Sequence, residues 1–386
     1  MSLPSGLGGL DASGCAGHPG QTGPGQAVLG NIPLVIAARP VLLPPTTIVD
    51  HYYRGGERLA ALRGVPFPSP RRPEEWLAST VHRADQPDVG RSRLADGSLF
   101  AALVESDPTA WTGSAHGAPG AGPADTGILV KLLDAGQRLP VHVHPTRGFA
   151  RDHLHSCYGK TEAWYVLETH GDDPAVWVGF TEDLDQDELA ARVDAQDSDW
   201  MLSRMNKISV RPGDGIVVPA GQAHATGAGV FVVEVQEPTD FSILLEWSVT
   251  TATREESHLG LGFERAFGTV SRHALSPTQL GLITQHLDPD VRGGALMRVL
   301  PQAADPFFRV DVAVPDGDET VAVPRGFAVL VVLDGRGALG WAGAGESQPI
   351  ERGQVYAVPD AVGDWGVSGA ARVVVCRPSA DWPSVQ

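Results

Sequence analysis

Two glycine-led segments share one pattern, and together they constrain the fold of this chain more than any other feature. Residues 136–144 read Gly-Gln-Arg-Leu-Pro-Val-His-Val-His, and residues 213–224 read Gly-Asp-Gly-Ile-Val-Val-Pro-Ala-Gly-Gln-Ala-His. His142 and His144 are two residues apart, so on a β-strand both imidazoles point to the same face. In the second segment an apolar strand runs into a Pro-x-Gly turn, and His224 follows that turn. The pattern predicts histidines at strand ends, next to turns.

A carboxylate lies between the two segments in the sequence. Glu162 opens another apolar strand, in Gly-Lys-Thr-Glu-Ala-Trp-Tyr-Val-Leu. Imidazole and carboxylate are intermediate ligands that suit zinc, iron, manganese, nickel and cobalt. A single histidine is usually a surface or hydrogen-bonded core residue, whereas four ligand-capable residues in one two-part register are hard to reach by chance. We therefore predict one divalent metal ion held by His142, His144, Glu162 and His224, with positions left open for a ligand.

These stretches resemble a known family. The series Gly136-x5-His142-x-His144, Glu162 and Gly213-x5-Pro219-x-Gly221-x2-His224 is similar to the two-part cupin signature. Within the cupin superfamily, three stretches resemble type I mannose-6-phosphate isomerases: VHVHP at 141–145, GKTEAWYV at 159–166 and PGDGIVVPAGQAHA at 212–225. The resemblance extends over roughly residues 128 to 250 and only loosely into the flanks. It implies a metal-dependent sugar isomerase, with zinc as the usual metal.

Short apolar runs between turn residues predict a β-rich chain. The 386 residues include 46 glycines and 31 prolines, which divide the apolar stretches into strand-like lengths. With the resemblance, this predicts a mainly β fold with a few short helices, in which two jelly-roll barrels form a bicupin. The chain length is enough for about two domains.

Four segments are predicted along the chain: a flexible Gly/Pro-rich tail at 1–30, a metal-binding N-terminal cupin domain with helical insertions at 31–260, a helical linker at 261–290 and a C-terminal lobe at 291–386. In the C-terminal lobe, Gly353-x5-Pro359 repeats the spacing of Gly213-x5-Pro219, but Asp364 stands where the first copy has His224. We therefore expect this lobe to be a degenerate, metal-free repeat.

Two local patterns predict helices. Ser276, Pro277 and Gln279 match an N-cap, a first helical residue and a capping-box partner, so a helix is expected to run to about His286. Glu74 has two interpretations. It follows Pro73 as a first-turn helix acid would, and it also resembles the family's early Glu-x-Trp segment, whose acid lies near the sugar.

For an isomerase, a proton must move between C2 and C1 of the sugar, and a group with a pKa near neutrality must carry it. Lys160 lies two residues from Glu162 and on the same strand face, and it is the first candidate carrier, although orienting Glu162 or binding substrate is an equal alternative. Glu234 and Asp240, where the family match continues, are further catalytic candidates. Arg147, Arg151 and Glu74 are the predicted substrate-binding residues.

Two residues depart from the family pattern and keep other functions open. His142 replaces the family's glutamine, which brings the ligand set close to the three-His, one-Glu sites of iron and manganese cupins. Leu244 aligns with an arginine that contributes to catalysis in the family, and leucine cannot supply a cationic fork. A different or unphosphorylated sugar is therefore considered, and the alternatives are an iron or manganese cupin oxygenase and a non-catalytic sugar-binding cupin.

Charge and cysteine content limit the classes of partner and the cellular compartment that the sequence predicts. The net charge of −17 disfavours nucleic acid and anionic membrane surfaces as partners. No apolar run reaches the length of about 20 residues that a membrane span needs. Cys15, Cys157 and Cys376 are widely spaced, which fits a reducing cytoplasm. We expect a cytoplasmic monomer or homodimer that binds a small sugar or sugar phosphate.

Overall fold

The computed structural model describes residues 39–45, 51–67, 69–83, 86, 89–342, 345 and 347–384. They all belong to one compact unit that spans 35–386. The predicted flexible tail at 1–30 lies outside the described residues. None of the described helices is long and apolar enough to cross a membrane.

Antiparallel strands dominate the described part of the chain. In chain order the strands are β1 Val41–Leu43, β2 Glu74–Leu77, β3 Leu129–Asp134, β4 His142–Val143, β5 Glu162–Thr169, β6 Ala175–Phe180, β7 Met205–Ser209, β8 Asp214–Val218, β9 His224–Thr226, β10 Val230–Gln236, β11 Ile243–Leu244, β12 Thr284–His286, β13 Gly293–Arg298, β14 Phe308–Val314, β15 Thr320–Val323, β16 Ala328–Trp341, β17 Gln348–Glu351, β18 Val355–Val358 and β19 Trp365–Pro378. The α-helices are short: α1 Arg58–Arg63, α2 Phe100–Ser106, α3 Pro108–Thr112, α4 Arg147–Leu154, α5 Gln186–Asp194, α6 Ser198–Ser203, α7 Phe263–Ala266 and α8 Pro277–Ile283.

The described strands form three sheets that make two lobes. The first lobe pairs a six-stranded sheet, in the order β12-β8-β5-β10-β3-β2, with a five-stranded sheet, in the order β11-β4-β9-β6-β7. The second lobe is built on an eight-stranded sheet with the path β1-β18-β16-β19-β14-β13, joined by β15 and β17. The predicted mainly β bicupin is confirmed. Strand β1 pairs with β18 of the second lobe, and the domain boundaries at 260 and 290 stay predictions.

The repeated glycine spacing corresponds to the same local structure in both lobes. Gly213 has φ +94° and Gly353 has φ +85°, a backbone region that favours glycine. At each position an added Cβ would lie 2.1 Å from a backbone carbonyl oxygen, of Leu287 or of Leu62. A strand begins one or two residues after each glycine, β8 at Asp214 in the first lobe and β18 at Val355 in the second. The second lobe therefore preserves the turn of the glycine motif, although it lacks the ligand histidine.

Two helix predictions need correction. The capping box of Ser276 and Gln279 is present, but α8 ends at Ile283, and Thr284–His286 pairs with β8 instead. Pairing with strand β8 satisfies the backbone hydrogen-bonding groups of this segment, as a further helical turn would. The segment therefore adopts the strand and not the helix. Glu74 begins β2, which pairs with β3, so the interpretation as a helix acid is wrong. Tertiary pairing decides both cases over local propensity.

Candidate metal centre

Four side chains from the two sheets of the first lobe meet at one point. His142 on β4 pairs with His224 on β9, and His144 follows β4 directly. Glu162 comes from β5 in the opposing sheet. One possible ligand atom from each of the four residues lies within 4.8 Å of all the others, and all four side chains are buried. The strand alternation expected from His-x-His is therefore realised, and the predicted metal-ligand set is brought together.

Backbone carbonyls orient two of the imidazoles toward the shared centre. Nδ1 of His142 lies 2.9 Å from the Pro140 carbonyl oxygen, and Nδ1 of His224 lies 2.9 Å from that of Gln222. Each Nδ1–H can donate there, which leaves the Nε2 lone pair for a metal. Nε2 of His224 is fully buried and has no hydrogen-bond partner among the described residues. A buried lone pair without a donor is the arrangement that a cation satisfies.

The electrostatics of the cluster also suit a cation. Burial lowers the pKa of His142 well below its ordinary value, and burial with the nearby Lys160 lowers the pKa of His144 to about 3. Both rings are therefore neutral, as metal ligands must be. Burial alone would raise the pKa of Glu162, but His144 and Lys160 reverse this and hold it well below its usual range. The cluster offers neutral imidazoles and one carboxylate.

Lys160 is in direct contact with the ligand set. Its Nζ lies 3.0 Å from Nε2 of His144 and 3.3 Å from Oε2 of Glu162, and its side chain is buried. The two carboxylate oxygens of Glu162 are shared, since Oε2 is 2.8 Å from His144 Nε2 and Oε1 is 3.4 Å from His224 Nε2. Lys160 thus orients the carboxylate and presents an ammonium group beside the metal position.

A second buried network adjoins the centre on the six-stranded sheet. Lys131 on β3 lies with its Nζ 3.1 Å from Glu234 Oε1 and 3.4 Å from Glu74 Oε2. Two indole groups complete the hydrogen bonding, with Trp76 donating to Glu74 over 2.8 Å and Trp164 donating to Glu234 over 3.2 Å. The strand register explains the grouping, because Trp164, Glu234, Lys131 and Trp76 are successive partners across β5, β10, β3 and β2.

The pKa values of the two carboxyl groups in this network are shifted in opposite directions. Burial would raise the pKa of Glu74, but Lys131, His51 and hydrogen bonds from Tyr53 and Trp76 hold it well below its usual value. For Glu234, burial and the charge of Glu162 raise the pKa despite Lys131. Glu74 is therefore the permanent anion of the pair, and Glu234 is the carboxyl group more easily protonated.

A cavity of about 600 Å³ joins the metal cluster to this network. Its wall includes the following predicted site residues: His142, Glu162, Lys160, Glu234, Asp240 and Glu74. Burial raises the pKa of Asp240, although Lys131 and Lys160 oppose the shift. Leu244 also lines the cavity, where β11 places it directly opposite His142. The leucine at position 244, which aligns with an arginine in the family pattern, therefore makes the cavity wall beside His142 apolar.

Two predicted substrate-binding residues lie elsewhere. Among the described residues, Arg147 and Arg151 are absent from the lining of this cavity and line a separate depression of about 400 Å³. Arg147 forms an ion pair with Glu237, and its guanidinium lies 4.7 Å from the ring centre of Phe307 in the second lobe. Arg151 is exposed on α4. Neither arginine lines the metal cavity, although Leu154 at the end of α4 does.

The sequence did not single out three polar residues that the structure brings to the cavity. Lys131, His51 and Tyr53 all line it. His51 Nε2 lies 3.3 Å from Glu74 Oε1, and the Tyr53 hydroxyl donates to the same oxygen. One signal was available, since Lys131 interrupts an otherwise apolar strand, Gly-Ile-Leu-Val-Lys-Leu-Leu-Asp. His51 and Tyr53 lie upstream of the motif region and carried no such signal.

Comparisons with known proteins agree with this geometry. No protein-family model matches the chain. It is 32% identical over 186 residues to a probable mannose-6-phosphate isomerase, GmuF, of Bacillus subtilis, covering 48% of this chain and 55% of the relative. It is 26% identical over 254 residues to the mannose-6-phosphate isomerase ManA of the same organism, covering 64% and 74%. The first match thus spans about half the length of the relative.

Solved structures support the fold over most of the chain. The mannose 6-phosphate isomerase of Bacillus subtilis superposes with a TM-score of 0.67 at 22% identity, covering 88% of this chain and 99% of that one. The enzyme from Salmonella typhimurium, solved with its substrate (f6p) and a zinc atom, gives a TM-score of 0.64 at 15% identity, covering 89% and 100%. With the motif region and the ligand cluster, these findings show that the chain is similar to mannose-6-phosphate isomerases over part of its sequence and shares their fold.

Proposed function

We propose that the protein is a metal-dependent aldose–ketose isomerase of the mannose-6-phosphate isomerase type. The observation that carries this proposal is the composition of a single cavity. It brings two metal ligands, the ammonium group of Lys160 and the raised-pKa carboxyl groups of Glu234 and Asp240 to one ligand-sized space. Proton transfer between adjacent carbons needs such groups around a polarised carbonyl.

The proposal gives each residue a role that its position supports. His142, His144, Glu162 and His224 would hold the metal, which supplies a Lewis acid for the substrate carbonyl when it is bound. Lys160 would donate a hydrogen bond to a substrate oxygen at the edge of the ligand set, because its ammonium group already lies against Glu162 and His144. Its other role is to keep the Glu162 carboxylate oriented.

Glu234 and Asp240 are the proposed proton carriers. A carboxyl group whose pKa is raised toward the working pH takes and returns a proton more readily than an ordinary carboxylate. In the forward direction one of them removes the proton from C2 and returns it to C1, while a hydroxyl proton moves between O1 and O2. Lys131 then stabilises the ionised form of Glu234, since its Nζ is 3.1 Å away.

The names of similar proteins suggest the substrate and the metal. The relatives are named mannose-6-phosphate isomerases, and the Salmonella typhimurium structure contains a substrate, f6p, and zinc. We infer that zinc and a hexose phosphate are the first pair to test, with manganese, iron, cobalt and nickel as other metals. Leu244 gives its part of the wall no charge, so an unphosphorylated sugar belongs in the same panel.

One observation favours a second candidate function. The third imidazole, His142, gives the three-His, one-Glu donor set that iron and manganese also accept. An oxygenase would hold a redox metal and consume oxygen when a reducing substrate is added. A cupin that only binds sugar would give neither oxygen uptake nor proton exchange.

The proposal is tested by elemental analysis followed by proton-exchange NMR. Purified protein is incubated in heavy water with a panel of hexoses, pentoses and their phosphates. Deuterium appearing at C1 or C2 of one sugar, together with the ketose or aldose product, is the expected result. Oxygen consumption without exchange would replace the isomerase with the oxygenase, and binding without either would leave a sugar-binding cupin.

We also propose a cytoplasmic monomer or homodimer. The support for this compartment is the cysteine pattern, since Cys157 and Cys376 are free thiols in the structure. Sedimentation or light scattering on the purified protein tests the oligomeric state. A stable higher assembly would contradict the proposal.

A further inference from the structure

Two neutral side chains of the cavity, outside the metal set, have a buried polar atom without a hydrogen-bond partner among the described residues. His51 and Thr226 both line the cavity, and their exposed fractions are only 6% and 1%. Among the described residues, no hydrogen-bond partner is within reach of His51 Nδ1 or of Thr226 Oγ1. Leaving such a group unsatisfied costs about 1–3 kcal/mol. A folded protein rarely retains two in one cavity without a ligand that satisfies them.

Neighbouring side chains fix both the position and the tautomer of the His51 ring. Its centre lies 4.4 Å from the Tyr52 ring and 4.1 Å from the Tyr53 ring, and Nε2 lies 3.3 Å from the Glu74 carboxylate. Because Glu74 is ionised, Nε2 carries the hydrogen and donates it there. Burial lowers the pKa of His51 to about 4, so the ring stays neutral near pH 7. Nδ1 is therefore an acceptor.

Thr226 is placed by the strand that carries a metal ligand. It lies two residues after His224 on β9, so both side chains point to the same face of the sheet. Its hydroxyl group can donate one hydrogen bond and accept others. The cavity thus offers an acceptor at His51 and a donor-acceptor at Thr226, in addition to the metal ligands.

We propose that His51 and Thr226 are specificity-determining residues that bind hydroxyl groups of a polyhydroxylated substrate. The sugar identity of that substrate rests on the proposed function, whereas the hydroxyl recognition rests on the two unsatisfied groups. The charges that act on His51 have both signs, since Glu74 is an anion and Arg83, Lys131 and Lys160 are cations. The neutral acceptor at Nδ1 is therefore assigned to a hydroxyl group of the ligand.

Paired variants separate the hydrogen bonds from packing. His51→Gln keeps an amide near the Nε2 position, which can donate to Glu74, but removes the acceptor at Nδ1. His51→Asn does the reverse, because its short side chain ends near Nδ1. Thr226→Val removes the hydroxyl at nearly constant volume, and Thr226→Ser keeps it. His286→Gln is the matched control, since His286 also contacts one carboxylate, with Nδ1 2.7 Å from Asp214, but lies on β12 outside the cavity lining.

The measurements are affinity and steady-state kinetics on metal-loaded protein. The probes for calorimetry are D-mannitol, D-glucitol and their 6-phosphates, which carry the hydroxyl groups but cannot isomerise. We expect His51→Gln and Thr226→Val each to weaken binding about tenfold, with the same change in KM and little change in kcat. His51→Asn and Thr226→Ser should each bind more tightly than their partner variant, and thermal melting verifies that all variants fold.

The outcomes separate this inference from the proposed function. Wild-type isomerisation with equal affinities in all variants would overturn the roles of His51 and Thr226 and leave the isomerase standing. Hexitol binding with the expected variant pattern, but no isomerisation of any sugar, would retain the hydroxyl recognition and remove the isomerase. If the wild-type protein bound none of the four probes, the hydroxyl-recognition inference would be overturned.

Discussion

The two lobes share a strand-and-turn motif but fill their interiors differently. In the first lobe, buried charged side chains of Glu74, Lys131, Glu162 and Glu234 lie within the barrel. The matching interior of the second lobe is an apolar cluster that includes Leu330, Val332, Leu339, Ile350, Tyr356, Val358, Trp365, Val367 and Val373. The turn glycines at 213 and 353 show that the backbone plan is common to both.

This difference shows how one fold can serve two purposes. Burying an apolar side chain stabilises the folded state by about 1.5–3 kcal/mol, whereas a buried charge is costly unless it is paired. The second lobe gains stability throughout its interior, and the first lobe gives up part of that gain for chemistry. A single apolar cluster links them, running from Val130 and Val232 in the first lobe to Val310 and Val374 in the second. The second lobe therefore stabilises the lobe that carries the site.

The largest expected effect tests whether the charged interior holds a metal. Glu162→Gln should reduce metal affinity at least about 100-fold, more than the loss of an outer-shell partner causes, and should abolish any isomerase activity. The reason is that the only carboxylate of the ligand cluster is replaced by a neutral amide. Metal content after dialysis, with thermal melting to confirm folding, measures the effect. Glu168→Gln on the same strand, whose side chain is half exposed, is the control. Full metal occupancy in Glu162→Gln would show that Glu162 is not a ligand.

Much of the ligand cluster was predictable because local spacing sets the direction of its side chains. His-x-His sets two rings on one strand face, and the glycine-led motif sets the turn that carries His224. Strand alternation likewise brought Glu234 into the cavity. These side-chain directions follow from short-range spacing in the sequence, and the fold then brings the strands together.

The buried network beside the cluster was not predictable in the same way. Lys131 finds its partners on β2 and β10, which are distant in sequence, and only the strand register shows that Glu234 lies opposite it. Arg147 is the opposite case. It follows the motif closely in sequence, but its partners are Glu237 and Phe307. The direction of such a cation depends on acidic and aromatic partners that no local pattern specifies.

Removing the central cation of the network should have the next largest effect. Lys131→Met leaves Glu74 and Glu234 without their shared ammonium group, and breaking a buried pair in this way costs about 3–5 kcal/mol. The loss in unfolding free energy should shrink as the pH falls and the carboxyl groups become protonated. Denaturant unfolding at several pH values measures it. Leu330→Ala in the second lobe is the contrast, because its expected cost of about 2–5 kcal/mol comes from a cavity and should not vary with pH. A cost below 1 kcal/mol for Lys131→Met would contradict the paired-charge account.

A smaller effect concerns the titration of Glu234. Its raised pKa means that the folded state holds this proton at pH values where the unfolded chain has released it. The corresponding stability is fully present below the unfolded pKa of about 4.3 and is lost as the pH rises through the folded pKa. In metal-free protein, Glu234→Gln removes this titration, so the stability of the wild type relative to the variant should fall with rising pH. The size is about 1.4 kcal/mol for each unit of pKa shift. Glu351→Gln, which removes an exposed acid of the second lobe, is the control. A difference that rises with pH for Glu234→Gln would reverse the sign argued here.

The smallest expected effect defines the limit of the site. Arg151 lies on α4 against the separate depression, so Arg151→Ala should change KM and kcat less than twofold for any sugar that is turned over. Exposed substitutions of this kind usually alter stability by no more than about 0.5 kcal/mol. Arg254→Ala, which removes another surface arginine, serves as the control. A tenfold rise in KM for phosphorylated substrates alone, with the hexitols bound as before, would mean that the phosphate reaches α4. The cavity and the depression would then act as one extended site, and the charged interior of the first lobe would continue to its surface.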